Sequence, residues 1–165
     1  MLFLKLWYHI NCMFKKALFS MIYGKRLHYG KKFQFRKGFS LGIEDQGHIE
    51  IGDECFFNNY CSIVSQGNVR IGDGSIFGEN VKIYDHNHRF NDLTKPIKVQ
   101  GYSVGTVEIG KHCWIGSNVT ILKGAKIGDN CVIGAGSVIN GIIESGMIVK
   151  PSDKYEKIKI IPKKV

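Results

Sequence analysis

The sequence predicts an all-β fold, a left-handed parallel β-helix of hexapeptide repeats with an inserted loop and an N-terminal amphipathic helix. Between residues 107 and 139, isoleucine recurs at every sixth position, glycine follows most of these isoleucines, and a small or branched residue stands two positions before each. The period of six fits neither the 3.6-residue turn of a helix nor the alternation of a strand. The isoleucines are Ile109, Ile115, Ile121, Ile127, Ile133 and Ile139.

A coil with three flat faces explains this period, because each hexapeptide then supplies one short strand and one turn. The isoleucines point inward and stack on the neighbouring coil, while Gly or Asn takes the turn positions that need a positive φ. The period also runs through residues 39–84, with a slip of two residues near Gln66–Asn68. Its positions there are Ile51, Phe57, Ile63 and Val69, then Ile71, Phe77 and Ile83. Both halves together predict four to five coils.

The five cysteines indicate a reduced, metal-free core. Four of them lie in the repeat, where small apolar residues are needed, and no CxxC pair is present. We therefore expect buried free thiols in a reducing cytoplasm, with neither disulfides nor a structural zinc site.

The net charge of +9 divides the chain into three parts. Residues 1–38 contain nine Lys or Arg and no acidic residue, and we assign them to a basic N-terminal helix and cap. Residues 39–150 carry nine basic and twelve acidic residues and form the β-helix domain, into which the loop 85–106 is inserted. Residues 151–165 form a basic tail with five basic and two acidic residues.

Apolar residues at helical spacing predict an amphipathic helix over residues 2–23, ending near Gly24. Early lysines argue against a signal peptide, and they also interrupt the run well short of the ~20 apolar residues of a membrane span. The helix can cap the open end of the coil, or its Trp7, Tyr8 and basic residues can contact an anionic membrane surface from the cytoplasmic side. These two roles can coexist on two faces. No recognition motif supports nucleic-acid binding.

The repeat stops completely over residues 85–106, and a long loop in a regular scaffold is a common place for function. It carries His86 and His88, whose imidazoles titrate near neutral pH and can take a proton from a hydroxyl. Asp85 or a backbone carbonyl can hold the other ring nitrogen. A zinc site is the alternative, and it needs His112 as the third ligand beside the two loop histidines.

Two stretches resemble the motifs of a known family. Residues 71–88, IGDGSIFGENVKIYDHNH, resemble IGDNVxxxPNVxxxxxxxH, and residues 113–139, CWIGSNVTILKGAKIGDNCVIGAGSVI, resemble VWIGxxVxIxxGVxIGDxxVIGAGSVV. Both patterns are typical of hexapeptide-repeat O-acetyltransferases, the group of galactoside, maltose and streptogramin acetyltransferases. The DHNH form is most similar to acetyltransferases of capsule, lipopolysaccharide and exopolysaccharide gene clusters. The resemblance implies that His88 is the catalytic base, with His86 as its neighbour or substitute.

The same resemblance implies that acetyl-CoA, with no metal, lies in a groove between two subunits of a homotrimer. Trp114 would line the acetyl or pantetheine end, the Ser117 amide would face the oxyanion, and the Ala135 backbone would bond the pantetheine arm. The family's closing motif is replaced here, so Lys150 is assigned in its place as a residue near the CoA phosphates.

A sugar or glycan is the acceptor that the resemblance implies. The family's Asn-aromatic-Asn-Cys stretch reads Asn58-Asn59-Tyr60-Cys61 here, so Asn58 and Tyr60, together with Asp85, are expected to bind it. The family's acidic residues beyond this stretch are replaced by Ser65-Gln66, which indicates a changed acceptor pocket. Three alternatives stay open: a zinc-dependent, carbonic-anhydrase-like β-helix enzyme, a non-catalytic membrane scaffold, and an N-acyltransferase acting on an amino sugar.

Overall fold

A computed structural model describes residues 2–151 as one helix followed by a left-handed coil of about six turns. Nearly all strands are parallel and belong to three sheets, which form the faces of a triangular prism. Face 1 contains β1 (Leu27–Tyr29), β4 (His48–Ile51), β7 (Asn68–Ile71), β12 (Thr106–Ile109), β15 (Lys126–Ile127) and β18 (Ile142–Ile143). Face 2 contains β2 (Gln34–Phe35), β5 (Phe56–Phe57), β8 (Ile76–Phe77), β13 (Trp114–Ile115), β16 (Val132–Ile133) and β19 (Ile148–Val149).

Face 3 completes the prism with β3 (Ser40–Ile43), β6 (Ser62–Ser65), β9 (Lys82–Tyr84), β14 (Thr120–Ile121) and β17 (Val138–Ile139). The chain visits the faces in the order 1, 2, 3, so its turns form three edges: 1–2, 2–3 and 3–1. The expected inward stacking of the isoleucines is confirmed, since Ile115 pairs in register with Phe77 and Ile133, and all three are buried.

The coil is longer than expected, with six strands on face 1 instead of four to five coils. It begins at Leu27, earlier than residue 39, where the sequence put the start of the β-helix domain. The inward positions of this first coil hold large aromatic side chains instead of isoleucine, and Phe33, Phe35 and Phe39 pack their rings together there. Because these aromatic residues replace isoleucine, the six-residue isoleucine pattern is not visible in the sequence of the first coil.

The glycines that follow isoleucine are needed for close approach between coils. A Cβ on Gly52 would lie 2.4 Å from Asp73 Oδ1, and one on Gly110 would lie equally close to Asp129 Oδ1. The left-handed turn positions hold glycine or asparagine in most cases, as expected: Gly38, Gly74, Gly124, Gly136 and Gly146, and Asn80, Asn118 and Asn130. The exceptions are Lys32, Asp45, Glu54, Tyr60 and His112.

The aspartates of the IGD triplets connect neighbouring coils along edge 1–2. Asp53 Oδ1 accepts the N–H of Lys31 at 2.6 Å, and Asp73 Oδ1 accepts the N–H of Asp53 at 3.0 Å. Asp129 Oδ1 accepts the N–H of Lys111 at 2.7 Å. Each carboxylate satisfies a turn amide in the preceding coil, which explains why the triplet repeats.

The outer surfaces of faces 1 and 2 differ in polarity. On face 1, Arg70 lies between Glu50 and Glu108, at 3.6 and 3.8 Å, and Lys126 continues this charged row at 3.3 Å from Glu108. Face 2 presents exposed apolar side chains instead: Ile76, Trp114 and Ile148. A charged surface is suited to solvent, whereas an apolar one favours contact with another molecule.

The predicted N-terminal helix is confirmed as α1 (Leu2–Tyr23), which covers the end of the coil. Its packed side carries Cys12, Phe19 and Tyr23, and the Tyr23 hydroxyl donates to the Leu41 carbonyl at 2.9 Å. Within residues 2–151, no helix is both long and apolar enough to cross a membrane. The basic tail lies outside the described residues, apart from Pro151.

All five cysteines are buried as free thiols in the described structure. Four occupy inward positions of the repeat, as its pattern predicts, and Cys12 lies on the packed side of α1. Burial raises the pKa of the Cys55, Cys61 and Cys113 thiols above the ordinary value of 9.0. These thiols therefore stay protonated and serve as small apolar side chains.

Candidate active site

The inserted loop folds back on itself as an antiparallel hairpin at edge 3–1. Its strands are β10 (His86–His88) and β11 (Tyr102–Val104), in which His86 pairs with Val104 and His88 pairs with Tyr102. Alternate residues of a strand point to the same side, so the two imidazoles share one face of the hairpin. The loop leaves face 3 after Tyr84 and rejoins face 1 at Thr106.

Asp85 anchors the base of this hairpin. Its carboxylate is fully buried and accepts hydrogen bonds from the Ser65 hydroxyl at 2.6 Å and from the N–H groups of Gln66 and Gly67, both at 2.9 Å. In this chain the carboxylate of Asp85, which the sequence assigns to substrate binding, is buried and directed at its own scaffold. Ser65 and Gln66, which replace the family's acidic residues, support this carboxylate.

The two histidines have different surroundings. The His86 side chain is 13% exposed, and its Nδ1 lies 3.1 Å from Asp85 Oδ1. His88 is exposed at the end of its strand. The Tyr102 ring contacts both, with centroids 4.5 Å from His88 and 5.3 Å from His86. The carboxylate thus orients His86, and the tyrosine orients His88.

Five of the other predicted site residues lie on edge 2–3. Asn58 and Tyr60 occupy the turn after β5, and Ser117 follows β13 in the same position relative to its strand as Ala135 does after β16. Lys150 follows β19 and stacks over Gly134, where an added Cβ would lie 3.6 Å from the Lys150 Cα. The expected cofactor and acceptor residues therefore share one edge of the coil.

The Ser117 N–H has no hydrogen-bond acceptor among the described residues. At the equivalent place one coil earlier, the Glu79 N–H donates to the Ser117 hydroxyl at 3.1 Å. The next coil has Ala135 at this position, and its methyl group cannot accept a hydrogen bond. Replacement of a polar residue by alanine thus leaves the Ser117 amide free on edge 2–3. The amides of Lys37 and Ala135, at the equivalent positions of other coils, also have no acceptor among the described residues.

Trp114 stands on the outer surface of face 2, just before this edge. It is 55% exposed and pairs in register with Ile76 on one side and Val132 on the other. This position suits either a wall beside the Ser117 amide or contact with another subunit.

Residues of the first coil contact Asn58 and Tyr60, which the sequence assigns to binding of the acceptor sugar. Asn58 Oδ1 accepts the Asn59 N–H at 2.9 Å and lies 3.3 Å from Arg36 Nη1. The Tyr60 ring packs against Gly38, where a Cβ would approach it to 2.3 Å. A side chain at position 38 would displace Tyr60.

One chain does not bring the two groups of predicted residues together. His86 and His88 lie at edge 3–1, whereas Ser117 and Ala135 lie at edge 2–3, and the width of face 3 separates them. His112 lies on the third edge, 1–2, away from both loop histidines. Residues 2–151 contain no cluster of three or more His, Cys, Asp or Glu side chains that could hold a metal.

Tyr102 and Arg36 are the residues that the sequence did not reveal. Tyr102 contacts both histidines only because the loop forms a hairpin, and its alternating QGYSVGT context is the available signal. Arg36 reaches Asn58 because residues 34–35 form a strand of face 2 beside β5. Both depend on pairings between distant parts of the sequence.

The known proteins that are similar to this chain in sequence are named as acetyltransferases. A family model described as bacterial transferase hexapeptide (six repeats) matches residues 106–141. A provisionally named lipopolysaccharide biosynthesis O-acetyl transferase of Escherichia coli K12, WbbJ, is 31% identical over 130 residues, which cover 74% of this chain and 66% of the relative. The galactoside O-acetyltransferase of the same organism is 34% identical over 126 residues, covering 76% and 50%.

A solved structure of another O-acetyltransferase has a similar fold. The maltose O-acetyltransferase of Clostridium difficile 630 superposes with a TM-score of 0.65 at 29% identity, covering 78% of this chain and 67% of the other. The chain spans 38% to 66% of the length of the first curated relatives that it matches.

Proposed function

Because the chain belongs to the hexapeptide-repeat family of bacterial transferases, we propose that it moves an acetyl group from acetyl-CoA to a sugar hydroxyl. The relatives described above are named as O-acetyltransferases, and two of those names include a sugar or galactoside substrate. The observation that carries the proposal is the free Ser117 amide on edge 2–3, which lies where the resembling motif has its oxyanion donor. The alternative zinc chemistry is not favoured, since His112 lies apart from the loop histidines.

In the proposed mechanism, His88 removes the proton of the acceptor hydroxyl while the oxygen attacks the thioester carbonyl. The Ser117 N–H stabilises the tetrahedral oxyanion. The C–S bond then breaks, and the protonated His88 returns its proton to the CoA sulfur. Holding the two reactants together can contribute roughly 7–11 kcal/mol, and general base catalysis adds about 10²–10⁴-fold.

His86 is assigned as the neighbour of the base in this mechanism, held by Asp85 at 3.1 Å. Trp114 lines the acetyl or pantetheine end of the groove, the Ala135 backbone bonds the pantetheine arm, and Lys150 lies near the CoA phosphates. Asn58 and Tyr60 contact the sugar.

A complete site requires two subunits, and we propose a homotrimer. The histidines on edge 3–1 of one subunit would meet the Ser117 amide on edge 2–3 of its neighbour, which removes the separation found within one chain. The apolar outer surface of face 2 supports an association of this kind, whereas the charged row on face 1 is suited to solvent.

The proposed setting is the synthesis of a bacterial surface polysaccharide in the cytoplasm. The WbbJ name supports the polysaccharide, and the five buried free thiols suit a reducing compartment.

Calorimetric titration with acetyl-CoA, on wild type and His88→Ala, tests the proposal when it is combined with a CoA-release assay over bacterial surface sugars and amino sugars. Both proteins should bind acetyl-CoA, and only the wild type should release CoA rapidly with a hydroxyl acceptor. Metal content is measured on the same samples. Zinc at one ion per site together with no acetyl-CoA binding would overturn the mechanism, and faster transfer to an amine would make the chain an N-acyltransferase.

A further inference from the structure

The outward side of α1 is apolar and has no partner within the described chain. Cys12, Phe19 and Tyr23 pack on the coil, and the opposite side of the helix presents large apolar side chains to solvent. These are Ile10, Met13, Phe14 and Met21, with exposed fractions of 55–76%. The apolar stripe recognised in the sequence is this outward side, so capping the coil does not account for it.

A cavity of about 440 Å³ lies beside this surface, between α1 and the first coil. Its lining includes the apolar residues Trp7 and Phe35 and three cationic residues, Lys15, Arg36 and Lys37. Among the described residues, none of the three has an ion-pair partner. Apolar walls beside three unpaired cations fit an anion attached to an apolar body.

The surrounding segment has charge of one sign only. Residues 1–38 contain nine Lys or Arg and no Asp or Glu. An apolar helix side that faces outward, on a segment whose charges are all basic, has the composition of an interfacial membrane helix. Basic residues close to an anionic lipid surface add attraction that is independent of the apolar contact.

We propose that the α1 end of the coil docks on a bilayer containing anionic phospholipid, with a lipid phosphate in the cavity at Lys15, Arg36 and Lys37. Docking of a second copy through the same surface is disfavoured by charge. It would bring two segments of nine basic residues together, and neither segment has a carboxylate to offset the repulsion.

The cavity also adjoins the residues assigned to the acceptor. Arg36 lines the cavity and lies 3.3 Å from Asn58, and Gly38 lines it while packing on Tyr60. A sugar carried on a lipid phosphate would therefore lie next to Asn58 and Tyr60; this consequence rests on the proposed function, whereas the docking itself does not.

Flotation of the full-length protein with vesicles tests the docking directly and requires no enzyme activity. The two vesicle types are phosphatidylcholine alone and phosphatidylcholine mixed with phosphatidylglycerol. Wild type should float with the anionic vesicles and not with the neutral ones. Lys15→Glu/Lys37→Glu should weaken anionic vesicle binding by at least about tenfold, because each cation near the surface contributes to attraction. Met13→Ser/Phe14→Ser should weaken it as well.

Matched control variants carry the same kinds of substitution at other places on the molecule, and they test whether binding depends on the α1 end in particular. Lys95→Glu/Lys98→Glu makes the same change of charge in the inserted loop, and Val138→Ser/Ile142→Ser removes two exposed apolar side chains at the far end of the coil. Both should float as wild type does, and thermal unfolding should show that all variants are folded. Equal flotation with neutral vesicles, or undiminished binding by the Lys15 and Lys37 variant, would overturn the proposal. So would a change of sedimentation mass in the Met13 and Phe14 variant with flotation unchanged, since the surface would then join copies of the chain.

Discussion

The buried carboxylate of Asp85 holds the imidazole of His86, with 3.1 Å between Oδ1 and Nδ1. The same carboxylate fixes the turn at Gln66–Gly67 through two backbone amides. One side chain therefore connects the inserted loop to the neighbouring coil. It links the coil to His86, which lies two residues before the proposed base His88.

Asp85→Asn should destabilise the protein by about 3 kcal/mol. The asparagine side chain lacks the negative charge that strengthens the three hydrogen bonds accepted by Asp85. Its NH₂ group is a donor, so it cannot accept the hydrogen bonds of the carboxylate oxygen that it replaces. Urea unfolding followed by circular dichroism measures the loss. Asp45→Asn, at an exposed turn where the carboxylate makes no hydrogen bond or ion pair within the described residues, is the control and should change stability by less than about 0.5 kcal/mol. Equal effects of the two substitutions would mean that Asp85 is not an anchor.

Tyr102→Ala should lower acetyl transfer by about tenfold or more, because His88 then loses the ring that orients it and a small misplacement of a catalytic group is costly. Tyr102→Phe keeps the ring and should retain most of the activity. The measurement is kcat for both variants with a saturating acceptor. A large loss in Tyr102→Phe would instead assign a role to the hydroxyl.

Ala135→Ser should reduce transfer by about 10²–10³-fold, the usual cost of losing an oxyanion donor. The new hydroxyl would lie one coil beyond the Ser117 amide, as the Ser117 hydroxyl does for the Glu79 amide, and it would accept that N–H. Ala135→Gly adds no acceptor and should stay near wild type. Ser117→Ala keeps the amide, so its activity should also change little. Steady-state assays of all three variants check this, and an active Ala135→Ser enzyme would exclude the Ser117 amide as the oxyanion donor.

Stability should decrease at alkaline pH because of the buried thiols. Burial raises the pKa of Cys55, Cys61 and Cys113 in the folded state, so their contribution is complete below the unfolded value of 9.0 and is lost as pH rises through the folded values. The check is a set of urea midpoints between about pH 7 and about pH 10. A variant with alanine at all three positions should show a smaller decrease; an unchanged slope would assign it to other groups.

The sequence was sufficient for the central coils because isoleucine occupies their inward positions at a fixed spacing. It was insufficient for the first coil, where Phe33 and Phe39 take the inward positions that isoleucine holds elsewhere. An aromatic-rich basic segment without the isoleucine period does not by itself indicate a coil. The amphipathic helix was recognised, but not which side packs on the coil. That choice depends on how Cys12, Phe19 and Tyr23 fit the end of a coil that the sequence does not display.

The candidate site was predictable where it depends on turns of the repeat and unpredictable where it depends on distant partners. Ser117 and Ala135 follow from the resemblance of residues 113–139 to the family motif, and the repeat spacing puts them at equivalent turns of successive coils. The burial of Asp85 depends on Ser65, twenty residues away. Pairing of β10 with β11 depends on how the loop closes, and this pairing brings Tyr102 to the histidines. A long loop has no periodicity from which such pairing can be read.

Mixing two inactive variants tests the central claim, that each site combines edge 3–1 of one subunit with edge 2–3 of its neighbour. His88→Ala and Ala135→Ser are co-refolded in equal amounts, and CoA release is measured. Random assembly into trimers should restore about a quarter of wild-type activity, because each site then takes each intact half with a probability of about one half. No recovery above the two separate variants, in assemblies shown to be mixed, would contradict the account and place the whole site within a single chain.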